Sequence, residues 1–206
     1  MKKVALPLLV ALALWFVMFS PWTAQYLNFW VTMALSGVVL SSMSLSLSPE
    51  LRTSLQSNFR WSDIPLGVAI GALLWGVFWV GDKVAGWIFP FAEGEIGSIY
   101  AMRDGTNPLL IGLLLLFVVG PAEEIFWRGF VQAECSKKWT PTVGFIITTA
   151  IYALAHIWSM NFMLLAAAAV AGGLWGLLYR FFPNRIWALI ISHAVWDVAV
   201  FLVFPI

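Results

Sequence analysis

The residues of this chain best suited to acid–base chemistry lie inside apolar segments. Glu123, Glu124 and Arg128 share one such segment. His156 and His193, the two histidines of the chain, lie in two others. A charged side chain in hydrocarbon costs at least ~2.5–3.5 kcal/mol, so several of them indicate a functional site. Carboxylates and imidazoles are also the groups that most often transfer protons in catalysis.

Helical spacing indicates which of these groups meet. Glu124 and Arg128 are four residues apart and are predicted to form an ion pair on one helix face. Glu123 is rotated by roughly 100° from Glu124, so it points elsewhere and is left free for proton transfer. Gly120 and Pro121 come just before the acids, and the proline predicts a kink that admits water.

The histidines have partners at the same spacing. Asp197 follows His193 by four residues, and His156 follows Tyr152 by four. Each pair therefore shares a helix face, which places a carboxyl group beside one imidazole and a phenol beside the other.

The polar groups are predicted to reach a common depth. Glu123 and His156 lie ~21 and ~22 Å from the ends of their segments. Asp197 lies ~18 Å from such an end, and His193 ~12 Å. Helix tilt accommodates this spread, so three helices deliver polar groups to one layer near the middle of the membrane.

The composition is that of an integral membrane protein. Of the 206 residues, 62% are hydrophobic and 10% charged, against roughly 25% charged in soluble domains. The net charge of +1, without a basic stripe, argues against nucleic acid as a partner. Cys135 is the only cysteine, so no intrachain disulfide is possible.

The elements that must position these residues are membrane-spanning helices. Each apolar stretch is near the ~20 residues that cross a bilayer, and no alternation indicates a barrel. The sequence predicts an all-α integral membrane protein: one bundle of about seven transmembrane helices with a polar site inside the bilayer. Residues 1–206 form a single domain, with three helices and loops in 1–107 and the catalytic helices in 108–204. The predicted spans are 4–20, 25–47, 64–90, 108–133, 142–159, 162–181 and 186–204, and the longest polar linkers are 48–63 and 91–107.

Basic residues predict the orientation. Residues 1–20 imitate a signal peptide but lack a clean cleavage pattern, so we interpret them as a retained helix. With the N-terminus in the cytoplasm, eight of the eleven basic residues are cytoplasmic, two are outside and Arg128 is in the bilayer. The predicted location is the inner (cytoplasmic) membrane, with the C-terminus outside. The eight are Lys2, Lys3, Arg52, Arg60, Lys137, Lys138, Arg180 and Arg185; the two are Lys83 and Arg103.

The three motifs resemble the signature of the CAAX-protease and bacteriocin-processing family, also called Abi. The motifs are Glu123-Glu124-x-x-x-Arg128, Tyr152-x-x-x-His156 and His193-x-x-x-Asp197. Their order, spacing and membrane setting agree with the family over about residues 108–200. Relatives include the prenyl-protein endopeptidases of the Rce1 type.

The resemblance implies an intramembrane endopeptidase. By it, Glu123 is the general base that activates water, with help from His156. His193 and Asp197 stabilise the oxyanion, while Glu124 and Arg128 hold the helix and tune the base. Many family members have Asn at the position of Asp197. An ionised aspartate would repel an oxyanion, so Asp197 must be protonated, turned toward His193, or bound to a cation.

The resemblance leaves the cofactor open, because the family has been described both as zinc-dependent and as metal-free. Two histidines with Glu or Asp form an acceptable zinc set. No His-Glu-x-x-His unit is present, and the candidates are scattered over three helices. We favour no cofactor; a zinc ion would take its ligands from Glu123, His156, His193 and Asp197.

The predicted partners are the lipid bilayer and a peptide or protein substrate, membrane-anchored or cut in a C-terminal segment. Peptide or bacteriocin maturation, self-immunity and removal of a sorting signal all fit, as does a prenylated CAAX substrate. A proton-coupled transporter is the alternative, although no inverted repeat is visible. A non-proteolytic scaffold, with Glu124 and Arg128 as a packing clamp, is the third.

Overall fold

Helices make up the whole architecture of residues 2–206, which the computed structural model describes, and no strand occurs among them. Six helices are long and apolar enough to cross a membrane, and α1 is a shorter apolar helix. The all-α membrane fold is therefore confirmed, and the protein crosses the membrane several times. The helices are α1 (Lys2–Phe19), α2 (Phe29–Leu47), α3 (Pro49–Ser57), α4 (Asp63–Ile88), α5 (Ala92–Ala101), α6 (Pro108–Lys138), α7 (Pro141–Ser159), α8 (Phe162–Phe181) and α9 (Pro183–Val203).

Two short helices occupy the segments that the sequence predicted to be polar linkers. In α3, the Ser48 side chain accepts a hydrogen bond from the Leu51 amide at 3.2 Å, and Pro49 begins the helix. In α5, Glu93 and Glu95 lie in the first turn, where carboxylates interact favourably with the helix dipole. Both helices are too short to cross a bilayer, and for this reason the hydropathy pattern did not reveal them.

Capping residues fix where the helices of the site begin. Asn107, Thr140 and Asn161 each accept a hydrogen bond from an amide in the first turn of α6, α7 and α8. Pro108 and Pro141 then occupy the first helical position, where a missing N–H costs nothing. The positions of these helix N-termini determine where along the bundle axis each helix places its polar residues.

The two ends of the bundle differ in their charges. At one end, which we call the basic end, Arg185 of α9 lies 2.7 Å from Asp63 of α4. Lys137 of α6 pairs there with Glu134 at 2.7 Å. At the other end, which we call the α5 end, the Asn161 side chain donates to the Glu95 carbonyl oxygen at 2.8 Å. The basic residues predicted to be cytoplasmic belong to segments that meet at the basic end.

Candidate active site

Helix α6 departs from regular α-helical geometry where it carries the two acids. Residues Leu115–Val119 and Glu124–Gln132 are π-helical, on either side of an α-helical turn at Gly120–Glu123. Pro121 lies in this turn and lacks the N–H that a regular ladder requires. The irregularity expected at the proline is therefore present as two wide turns, a feature that is frequent at functional sites.

Gly120 allows α6 and α9 to approach closely beside the acids. A Cβ atom at Gly120 would lie 2.8 Å from both the amide nitrogen and the Cα of Ala194. No other residue fits without displacing one helix. Ala194 is the neighbour of His193, so this contact brings that histidine against α6.

Glu124 is the centre of a buried polar network. Its Oε1 accepts from Arg128 Nη1 at 2.7 Å, so the predicted ion pair is present. The same oxygen lies 2.8 Å from His193 Nδ1. All three side chains are buried. The other oxygen, Oε2, is buried without a hydrogen-bond partner among the described residues, so the two contacts of Oε1 provide the compensation for burying the charges.

Arg128 and Gln132 also join α6 to α8. Arg128 Nη2 donates to the Gly172 carbonyl oxygen at 3.3 Å, and Gln132 Nε2 donates to that of Gly176 at 2.7 Å. Both pairs are spaced by four residues, so the two helices are held in one register.

His193 is fixed in orientation by aromatic stacking. Its ring lies 3.8 Å from the indole of Trp175, centroid to centroid, at 18° between planes. Trp175 is itself held by donating to Ser192 Oγ at 3.1 Å. His193 Nε2 faces Asp197 Oδ1 at 3.6 Å, which is too long for a hydrogen bond. Of the three arrangements expected for Asp197, this geometry matches the one turned toward His193.

Glu123 points away from this network, as its rotation from Glu124 predicted. Its Oε2 accepts from the Tyr152 hydroxyl at 2.7 Å. Its side chain also lines the central cavity. One carboxylate oxygen is thus held by α7 while the residue faces open space.

His156 has protein partners on both ring nitrogens. Nδ1 lies 2.9 Å from the Tyr152 carbonyl oxygen, and Trp15 Nε1 lies 3.2 Å from Nε2. An indole N–H only donates and a carbonyl oxygen only accepts. These contacts therefore assign a neutral ring with its proton on Nδ1.

Trp15 and Trp175 are the site residues that sequence reasoning missed. Trp15 lies on α1, 141 positions before His156, and is 2% exposed. Neither tryptophan belongs to a polar motif, and tryptophans in membrane proteins are usually assigned to interfaces. No pattern in the sequence indicated that they contact the histidines.

The predicted site residues divide into two groups around a cavity of about 400 Å³. Glu123, His156, His193 and Asp197 line it, together with Tyr152, Trp175 and Trp196. The remaining walls are mostly apolar. Glu124 and Arg128 lie behind this surface, buried in the protein. The structure thus brings four of the six predicted residues to one cavity. The other two, Glu124 and Arg128, lie in the protein interior behind the cavity wall.

The side chains of the site do not fit a metal ion as they stand. Within residues 2–206, no group of three or more His, Cys, Asp or Glu side chains is placed to hold one. The lone pair of His156 Nε2, which a metal would need, accepts the Trp15 N–H instead. The four side chains that a zinc ion would use, Glu123, His156, His193 and Asp197, are therefore not arranged to coordinate one ion.

Comparison with known proteins identifies one family. Residues 105–199 match the model of the family described as type II CAAX prenyl endopeptidase Rce1-like. No curated protein and no solved structure matches the chain. The matched region contains all six predicted site residues, so the recognition made from the three motifs is confirmed there.

Proposed function

Residues 105–199 form a domain of the Rce1-like family, a family of proteases, and we propose that this protein is an intramembrane endopeptidase that uses Glu123 to activate water. The observation that carries the proposal is the shared cavity. Glu123, His193 and Asp197, from two different helices, face one space inside the membrane-spanning bundle.

Glu123 is the general base in this proposal. Tyr152 holds one of its oxygens, so the other is directed to a water molecule in the cavity. As the water oxygen attacks the peptide carbonyl carbon, the water proton passes to Glu123. That proton then goes to the leaving amine when the C–N bond breaks. Hydrolysis thus ends with a free amine, a carboxylic acid that keeps the second water proton, and Glu123 ionised again. The carboxylic acid then ionises by passing that proton to the amine.

His193 and Asp197 are proposed to stabilise the tetrahedral intermediate. Glu124 fixes His193 Nδ1 as a donor, which leaves Nε2 directed at the cavity and at Asp197. With a second proton on Nε2, His193 donates to the oxyanion while Asp197 balances its charge. Removing a donor of this kind typically costs about 2.7–4 kcal/mol of transition-state stabilisation.

Glu124 and Arg128 act in the same proposal as positioning residues. They touch no cavity surface but set the orientation of His193 and the register of α8. His156 lines the same cavity as Glu123, and we propose that it assists proton transfer while Trp15 holds its ring in place.

The substrate is proposed to be a membrane-anchored peptide or protein cut near its membrane segment. The largely apolar walls of the cavity favour apolar residues around the scissile bond. We further propose that the protein lies in the cytoplasmic membrane with its basic end inside the cell, because positive residues are retained there.

The test compares cells expressing the wild type with cells expressing Glu123→Gln. Each is co-expressed with the proteins encoded by neighbouring reading frames, and new peptide termini are identified by mass spectrometry. We expect termini that depend on Glu123. Glu93→Gln, at an exposed acid of α5, is the matched control and should leave cleavage unchanged.

Equal cleavage by the wild type and Glu123→Gln would show that Glu123 is not the general base. The alternative function, a proton-coupled transporter, would be favoured by two results together. The purified protein would show proton-coupled flux in liposomes, and no co-expressed protein would yield Glu123-dependent termini.

A further inference from the structure

One carboxylate in the cavity wall has no part in the proposed mechanism. Asp82 of α4 lines the same cavity as Glu123 and His193. It lies within the last two turns of α4, which ends at Ile88 and is long and apolar enough to cross a membrane. Carboxylates in such helices are costly, and they usually pair with another group or mark a functional site. The place of Asp82 on the cavity wall makes it available to a group of the substrate.

Helix packing gives the position of Asp82 relative to the catalytic groups. The ion pair at the basic end joins the first residues of α4 and α9, so the two helices run in the same direction. A Cβ atom on Gly71 would lie 3.1 Å from the Ser192 carbonyl oxygen and 3.6 Å from the Trp196 amide nitrogen. Gly71 is therefore level with His193. Asp82 comes eleven residues after Gly71, which corresponds to ~16 Å of helix toward the α5 end.

The cavity wall carries acidic groups but no lysine or arginine. Among the described residues that line it, the acids are Asp82, Glu123 and Asp197. The two histidines of the wall lie in the catalytic layer, far from Asp82. A cleft lined by one sign of charge concentrates groups of the opposite sign. The wall around Asp82 therefore favours a cation.

The basic residues near Asp82 do not occupy its cavity side. Lys83 Nζ lies 2.9 Å from Asp82 Oδ2, but the Lys83 side chain is 54% exposed, and ion pairs this exposed contribute little. Arg103 donates instead to the Phe201 carbonyl oxygen at 2.7 Å. Neither basic residue lines the cavity. A cation that enters the cavity thus competes with a weak, solvent-exposed partner.

Aromatic rings beside Asp82 suit a cation with an apolar stem. Phe78 precedes Asp82 by four residues on α4 and so shares its helix face. Tyr100 of α5 lines the cavity with both of them. The faces of such rings attract ammonium and guanidinium groups, and the methylene stems of Lys and Arg pack against apolar surface. Small ligands without a stem would gain only the charge contact.

We propose that Asp82 is a specificity-determining residue that binds a Lys or Arg side chain of the substrate. This rests on the proposed function and specifies its substrate class. An extended peptide spans ~3.3–3.6 Å per residue, so ~16 Å places the basic residue about four to six positions from the scissile bond. The substrate is then a membrane-anchored peptide with apolar residues around the cut bond and one basic residue at this spacing.

Binding of synthetic peptides tests the proposal without cleavage. The probe is a short peptide of Leu and Ala with blocked termini and one Lys at its centre; two further peptides carry Gln or Glu in place of the Lys. Each is titrated against the purified Glu123→Gln protein in detergent, and tryptophan fluorescence reports binding because Trp175 and Trp196 line the cavity. We expect the Lys peptide to bind about tenfold more tightly than the Gln peptide, and the Glu peptide to bind most weakly.

Substitutions around Asp82 identify the group responsible. Asp82→Asn should abolish the preference for the Lys peptide, and Asp82→Lys should reverse it in favour of the Glu peptide. Lys83→Gln removes the competing cation and should tighten binding of the Lys peptide. Asp104→Asn is the matched control, because Asp104 is an exposed aspartate after α5 that does not line the cavity, and it should leave the preference unchanged.

Equal binding of the three peptides would overturn the proposal, and so would a preference for the Lys peptide that persists in Asp82→Asn. Cleavage is a separate readout: Glu123-dependent termini should have a Lys or Arg about four to six residues from the cut bond. Selective binding without any such termini would reject the protease and retain Asp82 as a cation site. Glu123-dependent termini with unselective binding would reject only the role of Asp82.

Discussion

Two adjacent carboxylates of this protein have different surroundings, and for that reason the proposed mechanism gives them different roles. Glu124 accepts from Arg128 and His193 with one oxygen, while Glu123 faces the cavity and contacts Tyr152. The difference follows from the rotation between neighbouring helical positions, which sends one side chain into the protein core and the other into open space.

Substitution of Glu124 tests its supporting role. Glu124→Gln leaves the Arg128 charge buried without its partner, which typically costs about 3–5 kcal/mol. We expect a clearly lower midpoint of thermal unfolding in detergent, measured by circular dichroism. Glu123→Gln should unfold close to the wild type. Equal destabilisation by the two variants would contradict the division of roles.

Two substitutions of Asp197 distinguish the need for its charge from the need for a polar side chain at this position. In Asp197→Asn the amide donates to an oxyanion, so we expect cleavage within about tenfold of the wild type. Asp197→Ala removes the counter-charge of His193 and supplies no replacement donor, so kcat should fall by about 10²–10³. The same loss in both variants would show that the carboxylate itself is required.

Trp15 is predicted to hold the ring of His156. Trp15→Phe keeps an aromatic ring and removes one neutral hydrogen bond, worth about 0.5–1.5 kcal/mol. We expect kcat to fall by roughly 2- to 13-fold with KM unchanged. Trp22→Phe, at an exposed tryptophan just after α1, is the control. A rise in kcat would mean that the indole blocks the imidazole rather than positions it.

At the scale of the helices, close approach at Gly120 determines whether α6 and α9 bring their polar groups together. Gly120→Ala inserts a methyl group into the backbone of Ala194, and overpacking of this kind typically costs about 1–3 kcal/mol. We expect lower stability and a loss of cleavage, because His193 moves away from Glu124. Unfolding midpoints and kcat measure the two effects.

Gly86→Ala on α4 is the matched control for this change. A Cβ atom there meets nothing within 4 Å, and alanine is favoured over glycine in a helix by up to about 1 kcal/mol. Its stability should be equal to or above that of the wild type. Normal activity in Gly120→Ala would contradict the packing argument.

Local sequence rules predicted the elements that depend on neighbouring residues. Six of the seven predicted spans, the ion pair of Glu124 with Arg128 and the irregularity at Pro121 follow from hydropathy or from spacing along one helix. The contact of Trp15 with His156 depends on how two distant helices pack, which no local pattern contains. The stacking of Trp175 on His193 was missed for the same reason.

At the scale of the whole molecule, the region matched to the family does not enclose the site alone. The matched residues 105–199 contain every predicted catalytic side chain. Phe19 of α1, Met33 of α2 and Val77 of α4 nevertheless form cavity walls, and Trp15 contacts His156. Without these helices the polar groups of α6 and α9 would face lipid, where charged groups are costly.

A split protein tests this dependence. The chain can be divided in the loop between α5 and α6, next to Gly105, whose φ of +74° marks a tight turn outside the helices. We expect residues 105–206 expressed alone to give no Glu123-dependent termini, and co-expression with residues 1–104 to restore them. Restoration should fail when the first piece carries Trp15→Ala and Met33→Trp, which disrupt its side of the cavity. Cleavage by residues 105–206 alone would show instead that the first five helices serve only to anchor the protein, because the catalytic groups would then remain hydrated and aligned without their walls.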